Sequence, residues 1–172
     1  MDYEDIKNPN DLYLFTRNNI KYGFINKDNK VLLRYNTVEQ YYMEELFRNY
    51  KFQSPQELLI SKCGICYDQN ELMRDWLNTH GYNVKTYYTS LRNHSLLVYY
   101  DNNKYYWIET TFKPIRGIHT FSSLDTLFEY YISTQADEDK NLSIYEYNNL
   151  NYGCDIYDFI SHAKNSKLVL KK

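Results

Sequence analysis

The chain has 172 residues, of which 43% are hydrophobic and 24% are charged, and its formal net charge at pH 7 is −2. This length and balance are typical of one globular domain with its own core, and they exclude an intrinsically disordered chain. We therefore expect a single domain over residues 1–172. A weakly acidic chain lacks the basic excess of a general nucleic-acid binder, so no nucleic-acid partner is expected.

Targeting signals and disulfides are also not expected. No apolar run approaches the roughly 20 residues that span a bilayer, and the N-terminal stretch is acidic and polar, unlike a signal peptide. We expect a soluble, cytoplasmic protein with no membrane partner. Cys63 and Cys66 lie close together and Cys154 is far away, so the odd number of cysteines favours reduced thiols over a disulfide framework.

The first half of the chain carries several helix signals. Asn8 and Pro9 form a cap-plus-proline start, and Ser54 and Pro55 form another. Thr37 can cap a further helix, which follows a polar turn. An apolar stripe at helical spacing marks the last and clearest helix. The predicted helices cover residues 9–20, 38–49, 55–61 and 66–79, and the turn covers 27–30.

The hydrophobic pattern changes after residue 81 from a helical period to strands. The predicted strands cover residues 82–90, 94–100, 105–111 and 143–148. Residues 112–121 contain Pro114 and Gly117 and are predicted as a loop. The remaining predicted elements are a helix from Ser122 or Ser123 to 133, a solvated charge run from Asp137 to Lys140 and a helix over 154–164. This order predicts an α+β domain with N-terminal helices packed on an antiparallel sheet.

Asp101 to Lys104 form the turn of a predicted β-hairpin. If Asp101 pairs with Lys104, His94 falls opposite Thr111, and Glu109 is its diagonal neighbour on the same face. If the register is tighter by two residues, His94 faces Glu109 directly. Only an odd shift, as with a three-residue loop, separates the imidazole from the carboxylate.

A cysteine at the start of the strongest helix suggests a thiol nucleophile. A free thiol has a pKa of about 8.5, and a helix N-terminus and a nearby imidazolium both stabilise the thiolate. Backbone N–H groups at the same helix start can stabilise an oxyanion, and a third group must orient the imidazole. Cys66, His94 and Glu109 are the candidates for nucleophile, base and orienting group.

These residues carry a resemblance to a known family. The residues that match the family are Gly64-Ile65-Cys66-Tyr67-Asp68-Gln69, Gly81-Tyr82, His94 and Trp107-Ile108-Glu109. Together they resemble the transglutaminase-like superfamily, and the intervals 66–94 and 94–109 suit its compact bacterial or phage members. The resemblance directly covers residues 55–112. Glu109 stands where many members have Asp.

The resemblance implies a papain-like, transglutaminase-like core with a Cys–His–Asp/Glu triad. It implies acyl transfer on a peptide or amide carbonyl of a peptide or protein substrate, by a peptidase, amidase, deamidase or transglutaminase. It selects Cys66 as the nucleophile, because the family places that residue after Gly-x, and helix position agrees. No cofactor and no metal are expected, and no calcium-binding cluster is evident.

Three more residues are weaker candidates for the site. Gln53 precedes the cysteine as the oxyanion glutamine does in papain-like enzymes, Gln69 can face the site or solvent, and Trp107 shares the face of Glu109 and can exclude water beside it. Each feature also has a plainer interpretation, since a lone histidine is usually structural and Glu109 can be a strand-end ion-pair partner.

Three other functions compete with the enzyme hypothesis. Cys63-x-x-Cys66 has the spacing of zinc ligands, with His80, His94 or Cys154 to complete the site. The same pair can be a dithiol redox motif, although the segment before it is predicted as helix and not as strand. A non-catalytic module that binds a ligand or protein on the same fold is the third, because the many tyrosines suit recognition.

Overall fold

The computed structural model describes residues 2–135, 142–148 and 150–172. The predicted charge run from Asp137 to Lys140 lies outside these residues. The helices are α1 (Pro9–Asn19), α2 (Glu39–Asn49), α3 (Pro55–Ser61), α4 (Cys66–Thr79), α5 (Leu124–Ser133) and α6 (Ile156–Lys164). The strands are β1 (Lys21–Ile25), β2 (Val31–Leu33), β3 (Cys63–Gly64), β4 (Asn83–Thr89), β5 (His94–Asp101), β6 (Lys104–Glu109), β7 (Gly117–Phe121), β8 (Ser143–Tyr147) and β9 (Lys167–Lys171).

The strands form two sheets. The larger sheet is antiparallel throughout, with the strand order β7-β6-β5-β4-β8-β9. The smaller sheet has the order β2-β1-β3, and its β1 and β3 run parallel. Helices beside an antiparallel sheet confirm the predicted α+β class.

The large sheet is covered on both faces. Helices α1 and α4 pack on one face, where Leu72 and Met73 of α4 meet Leu97 and Ile108 of the sheet in a fully buried cluster. Helix α5 covers the other face through residues such as Phe128. Side chains alternate across a strand, so β5 and β6 contribute to both clusters.

A third buried cluster surrounds the start of α4. It brings together the small sheet, α2 and α6, with Phe24, Tyr42 and Phe159 among its members. Tyr67, next to Cys66, stacks on Phe159 with ring centroids 3.8 Å apart. The first turn of α4 is therefore packed against α6 as well as against the sheets.

Local capping explains why several helices begin where predicted. Asn8 accepts a hydrogen bond from the Asp11 backbone N–H, and Ser54 accepts one from the Glu57 N–H in a capping box. Thr37 does not cap α2, because the helix begins one residue later and the cap position falls on Val38. None of the helices in the described part of the chain is long and apolar enough to cross a membrane.

The prediction of a loop over 112–121 is wrong in its second half. Gly117 to Phe121 form β7, which pairs with β6 along the edge of the large sheet, with Glu109 opposite Gly117. Glycine and proline suggested a loop, but Pro114 lies in a short 3-10 turn before the strand, and Gly117 is the first residue of an edge strand, where glycine is tolerated. Strands β1, β2, β3 and β9 were not predicted either.

Candidate active site

Cys66 is the first residue of α4 and is buried. The chain reaches it from α3 through Lys62, which is left-handed (φ 55°), and through the short strand β3. A Cβ at Gly64 would stand 2.6 Å from a Leu58 methyl carbon and 2.8 Å from the Asp68 Cβ. The turn into the helix therefore requires glycine two residues before the cysteine.

Asp68 fixes the beginning of α4. Its carboxylate accepts hydrogen bonds from the Ile65 N–H (2.9 Å), the Gln53 N–H (2.9 Å) and the Tyr50 hydroxyl (3.0 Å). Burial raises the pKa of Asp68 to about 7, although these three hydrogen bonds oppose the shift. Asp68 thus holds in place the segment that carries Cys66.

His94 begins β5, directly after a strained turn. Arg92 and Asn93 both have positive φ, at 59° and 48°, a conformation that costs most residues of order 1 kcal/mol. The Tyr67 hydroxyl donates to the Asn93 carbonyl (2.6 Å), and the Tyr88 hydroxyl donates to the Asn93 side chain. Helix α4 and the sheet therefore both anchor the turn that delivers His94.

Glu109 ends β6 and lies beside His94, as the hairpin register predicts. Asp101 pairs with Lys104 around a two-residue turn with φ values of 48° and 60°, the type I′ geometry that suits a hairpin. The diagonal relation between His94 and Glu109 is confirmed, and His94 Nε2 is 2.7 Å from Glu109 Oε2.

The second carboxylate oxygen of Glu109 is fully occupied. Oε1 accepts the Thr111 N–H (2.7 Å), the Thr111 hydroxyl (3.0 Å) and the Phe112 N–H (2.8 Å). Three donors on one oxygen fix the carboxylate plane and leave Oε2 directed at the imidazole. Glu109 is 2% exposed, so its orientation is set by protein groups.

The charges of this cluster support an imidazolium. Burial works to lower the pKa of His94, but Glu109 and the Cys66 side chain, each by charge and by a hydrogen bond, raise it well above its ordinary value. Burial likewise works to raise the pKa of Glu109, but His94 and the backbone N–H groups of Phe112 and Thr111 lower it overall. Because Nε2 faces Glu109, Nδ1 is the ring nitrogen left for the thiol.

Two adjoining cavities open onto these residues. One, of about 340 Å³, is lined by His94 and Thr111, and the other, of about 100 Å³, is lined by Cys66. Tyr22, Arg34 and Arg92 line both cavities. We call the two cavities together the cleft.

Of the two arginines that line the cleft, Arg34 is in an ion pair and Arg92, among the described residues, is not. Arg34 forms an ion pair with Glu39 and lies over the Tyr42 ring, 5.2 Å from its centroid. Arg92 is exposed and lies over the Phe112 ring, 5.3 Å from its centroid. Within the described residues Arg92 has no acidic partner, so its charge is available at the entrance.

Gln53 does not join the three clustered residues. Its amide Nε2 donates to the Cys63 carbonyl (2.9 Å), and its Oε1 accepts from the Ser61 hydroxyl (2.8 Å). It lines a different cavity, beside Asn26 and Glu57. In this arrangement the amide braces the connection between α3 and α4, and its donor is not directed at the cleft.

Gln69 and Trp107 also lie in the interior. Gln69 donates to the Gly64 carbonyl (2.9 Å) and accepts from the Thr110 hydroxyl (2.8 Å), so it ties α4 to the turn before it and to the end of β6. Trp107 is fully buried and packs edge-on against Tyr131, whose ring stacks on His94. Both residues support the site from behind and do not line the cleft.

The other two cysteines lie in different surroundings. Burial and then the charge of Asp68 raise the pKa of Cys63 to about 12. Burial and then nearby acidic residues raise the pKa of Cys154 to about 11. Both shifts favour the protonated, unreactive thiol at neutral pH.

The zinc hypothesis gains no support from the geometry. Among the described residues, no group of three His, Cys, Asp or Glu side chains is arranged to hold a metal ion. His80 follows the far end of α4, a helix of 14 residues that is about 20 Å long. Its ring stacks on Trp76, and Nδ1 bonds to the Trp76 carbonyl.

Tyr22 and the two cleft arginines were missed by the sequence analysis. Tyr22 reaches the site because β1 pairs with β3, across about forty residues of chain. The run from Ile20 to Ile25 has the strand-forming composition that could have placed a strand there. No sequence signal indicates that this strand would pair beside Cys66.

Comparison with known proteins does not identify the chain. No family model matches it, and no curated protein matches it either. Support for a function therefore comes from the geometry of the cleft.

Proposed function

We propose that the chain is a cysteine-nucleophile acyl-transfer enzyme with a papain-related, transglutaminase-like core, acting on a peptide or amide carbonyl. The observation that carries the proposal is the His94–Glu109 contact of 2.7 Å beside a helix-start cysteine. A carboxylate oriented by three other donors, an imidazole and a thiol in series is the arrangement that activates a nucleophile.

The first half of the reaction acylates Cys66. His94 accepts the thiol proton at Nδ1, and the sulfur attacks the carbonyl carbon as the C=O π pair moves onto oxygen. The tetrahedral intermediate collapses as the C–N bond breaks, and His94 returns the proton to the departing amine. Glu109 holds the ring and stabilises its positive form throughout.

The second half releases the acyl group from the thioester. His94 takes a proton from water or from an amine, the acceptor attacks the thioester carbon, and the C–S bond breaks with return of the proton to sulfur. Water yields a peptidase, amidase or deamidase, and an amine yields a transglutaminase. Cys66 is 5% exposed, so substrate reaches it only through the cleft.

A small activated ester tests the proposal without knowledge of the substrate. Wild-type protein is treated with p-nitrophenyl acetate at pH 7, and the nitrophenolate burst is followed with intact-mass and peptide mapping. We expect one acetyl group on Cys66 and none in Cys66→Ala. Cys63→Ala is the matched control, because it removes a neighbouring thiol and should keep the burst.

Two results would contradict the enzyme hypothesis. One is acetylation of Cys63 instead of Cys66. The other is a wild-type rate no faster than that of a free thiol, together with a peptide ligand that binds wild type and Cys66→Ala equally and is never turned over. The second result would identify a recognition module on the same fold.

A further inference from the structure

Tyr22 stands beside the nucleophile although it comes from another part of the chain. Strands β1 and β3 run parallel, and Tyr22 pairs with Gly64, two residues before Cys66. Neighbouring strands are about 4.8 Å apart, so the backbone of Tyr22 lies next to the segment that enters α4. Tyr22 also lines both cavities of the cleft, with Cys66 in one and His94 in the other.

The hydroxyl of Tyr22 is not committed to the fold. The ring is half-buried, yet no hydrogen bond joins its hydroxyl to any residue that the structure describes. Three phenols of the same cluster are occupied, since Tyr50 donates to Asp68, and Tyr67 and Tyr88 donate to Asn93. The Tyr42 hydroxyl also lacks a partner among the described residues, but it is fully buried. A half-buried donor that faces the cleft without a partner is available to a bound substrate.

We propose that Tyr22 is a catalytic residue whose hydroxyl donates a hydrogen bond to the substrate carbonyl oxygen as that oxygen becomes an oxyanion. This inference rests on the acyl-transfer function proposed above. It also fills a gap, because the Gln53 amide is engaged by the Cys63 carbonyl. The Cys66 backbone N–H, which has no acceptor within the helix at this first position, is the second donor.

The phenol keeps its proton at neutral pH. Burial is the main cause, and the Cys66 and Tyr42 side chains add to it, so that the pKa of Tyr22 is raised well above 10 even though Arg34 acts to lower it. A protonated hydroxyl donates a hydrogen bond as negative charge develops on the oxygen. The proton stays on Tyr22, and His94 carries the proton that moves between sulfur and amine.

Two reactions of the same thiol separate this role from a general effect on the cysteine. p-Nitrophenyl acetate acylates sulfur through an oxyanion, whereas iodoacetamide alkylates sulfur by displacement at a saturated carbon and forms none. Both rates on Cys66 are measured for wild type and Tyr22→Phe at pH 7. We expect Tyr22→Phe to slow acylation by about 100-fold, the lower range for loss of one oxyanion donor, with alkylation within about twofold of wild type.

Tyr87→Phe is the matched control. The Tyr87 hydroxyl is buried without a hydrogen-bond partner in the described residues, and Tyr87 lines a different cavity, on the face of the large sheet that α5 covers. The same loss of one phenol oxygen should leave both rates nearly unchanged, because no hydrogen bond is lost.

Each outcome decides the matter. Equal acylation rates for wild type and Tyr22→Phe overturn the inference and leave the acyl-transfer proposal standing. Equal slowing of acylation and alkylation also overturns it, because Tyr22 then acts on the thiol and not on the oxyanion. Failure of wild type to acylate at Cys66 removes the acyl-transfer proposal itself, and the inference with it.

Discussion

Replacement of Glu109 by Gln tests whether the reactivity of Cys66 depends on the orientation of His94 and not only on its presence. In the wild type, Oε1 of Glu109 accepts from three donors and Oε2 faces His94 Nε2. An amide can keep the three donors only if its oxygen takes the Oε1 position. Its NH2 group then points at His94 Nε2 and donates to it.

The expected loss follows from this geometry. An imidazole that accepts at Nε2 carries its proton on Nδ1, the nitrogen left for the thiol, and so cannot accept the proton of Cys66. An equivalent change of tautomer costs about 10⁴ in a serine-protease triad, and we expect acylation to fall by about 10³–10⁴. The opposite amide orientation sets an NH2 against three N–H or O–H donors, at about 1–3 kcal/mol for each unsatisfied group.

The assay is the p-nitrophenyl acetate burst, with iodoacetamide alkylation measured from pH 5 to 9. For Glu109→Gln we expect alkylation at pH 6 to fall by at least about 10-fold, with rates that approach wild type at pH 9. Glu71→Gln is the control, because Glu71 is buried but binds Arg74 and Tyr152. A Glu109→Gln variant that is folded and acylates within about threefold of wild type would refute the role of Glu109.

Three further predictions concern the surroundings of the triad. At pH 6.5, iodoacetamide should label Cys66 and spare Cys63 and Cys154, whose pKa values are raised by burial to about 12 and 11; equal labelling in a peptide map would contradict the assignment. Arg92→Gln should slow the reaction of Cys66 with iodoacetate by about threefold to tenfold and leave its reaction with iodoacetamide unchanged, because only iodoacetate is charged. Added salt should reduce the difference between the two reagents. Equal effects on both reagents would show that Arg92 does not act through its charge. Burial raises the pKa of Asp68 to about 7 from 3.8. The protonated carboxyl group therefore contributes fully to the free energy of unfolding below pH 4, and this contribution of roughly 4 kcal/mol is lost as the pH rises through 7. The free energy of unfolding of Asp68→Asn, measured in urea, should lack this decline with pH. Parallel curves of unfolding free energy against pH for wild type and Asp68→Asn would contradict the prediction.

Elements with local signals were predictable. The start of α4 at Cys66 follows from a short helix, a glycine and an apolar stripe, all within about 25 residues of chain. The hairpin follows from its two-residue turn, and the turn alone sets the register that brings Glu109 beside His94. Such features depend on backbone preferences and periodicity within one segment, which the sequence carries directly.

Features that depend on distant pairing were not predictable. Strand β3 has two residues and exists because β1 pairs with it. The role proposed for Tyr22 depends on that pairing, and the hydrogen bond of Gln53 depends on the position of the Cys63 carbonyl. Side chains at these positions take their function from contacts between segments, for which a single sequence shows no period or spacing.

The last helix gives the cleft its floor. Ile156 and Ile160 of α6 line the cavity at Cys66, and Phe159 supports the ring of Tyr67. A fragment over 55–112 would carry Cys66, His94 and Glu109, yet it would lack this floor and the wall formed by Tyr22. Grafting or recombination at the borders of this segment would therefore transfer the three residues without the cleft around them. Exchange between related chains would preserve the cleft only by moving the stretch from β1 to α6 as one unit.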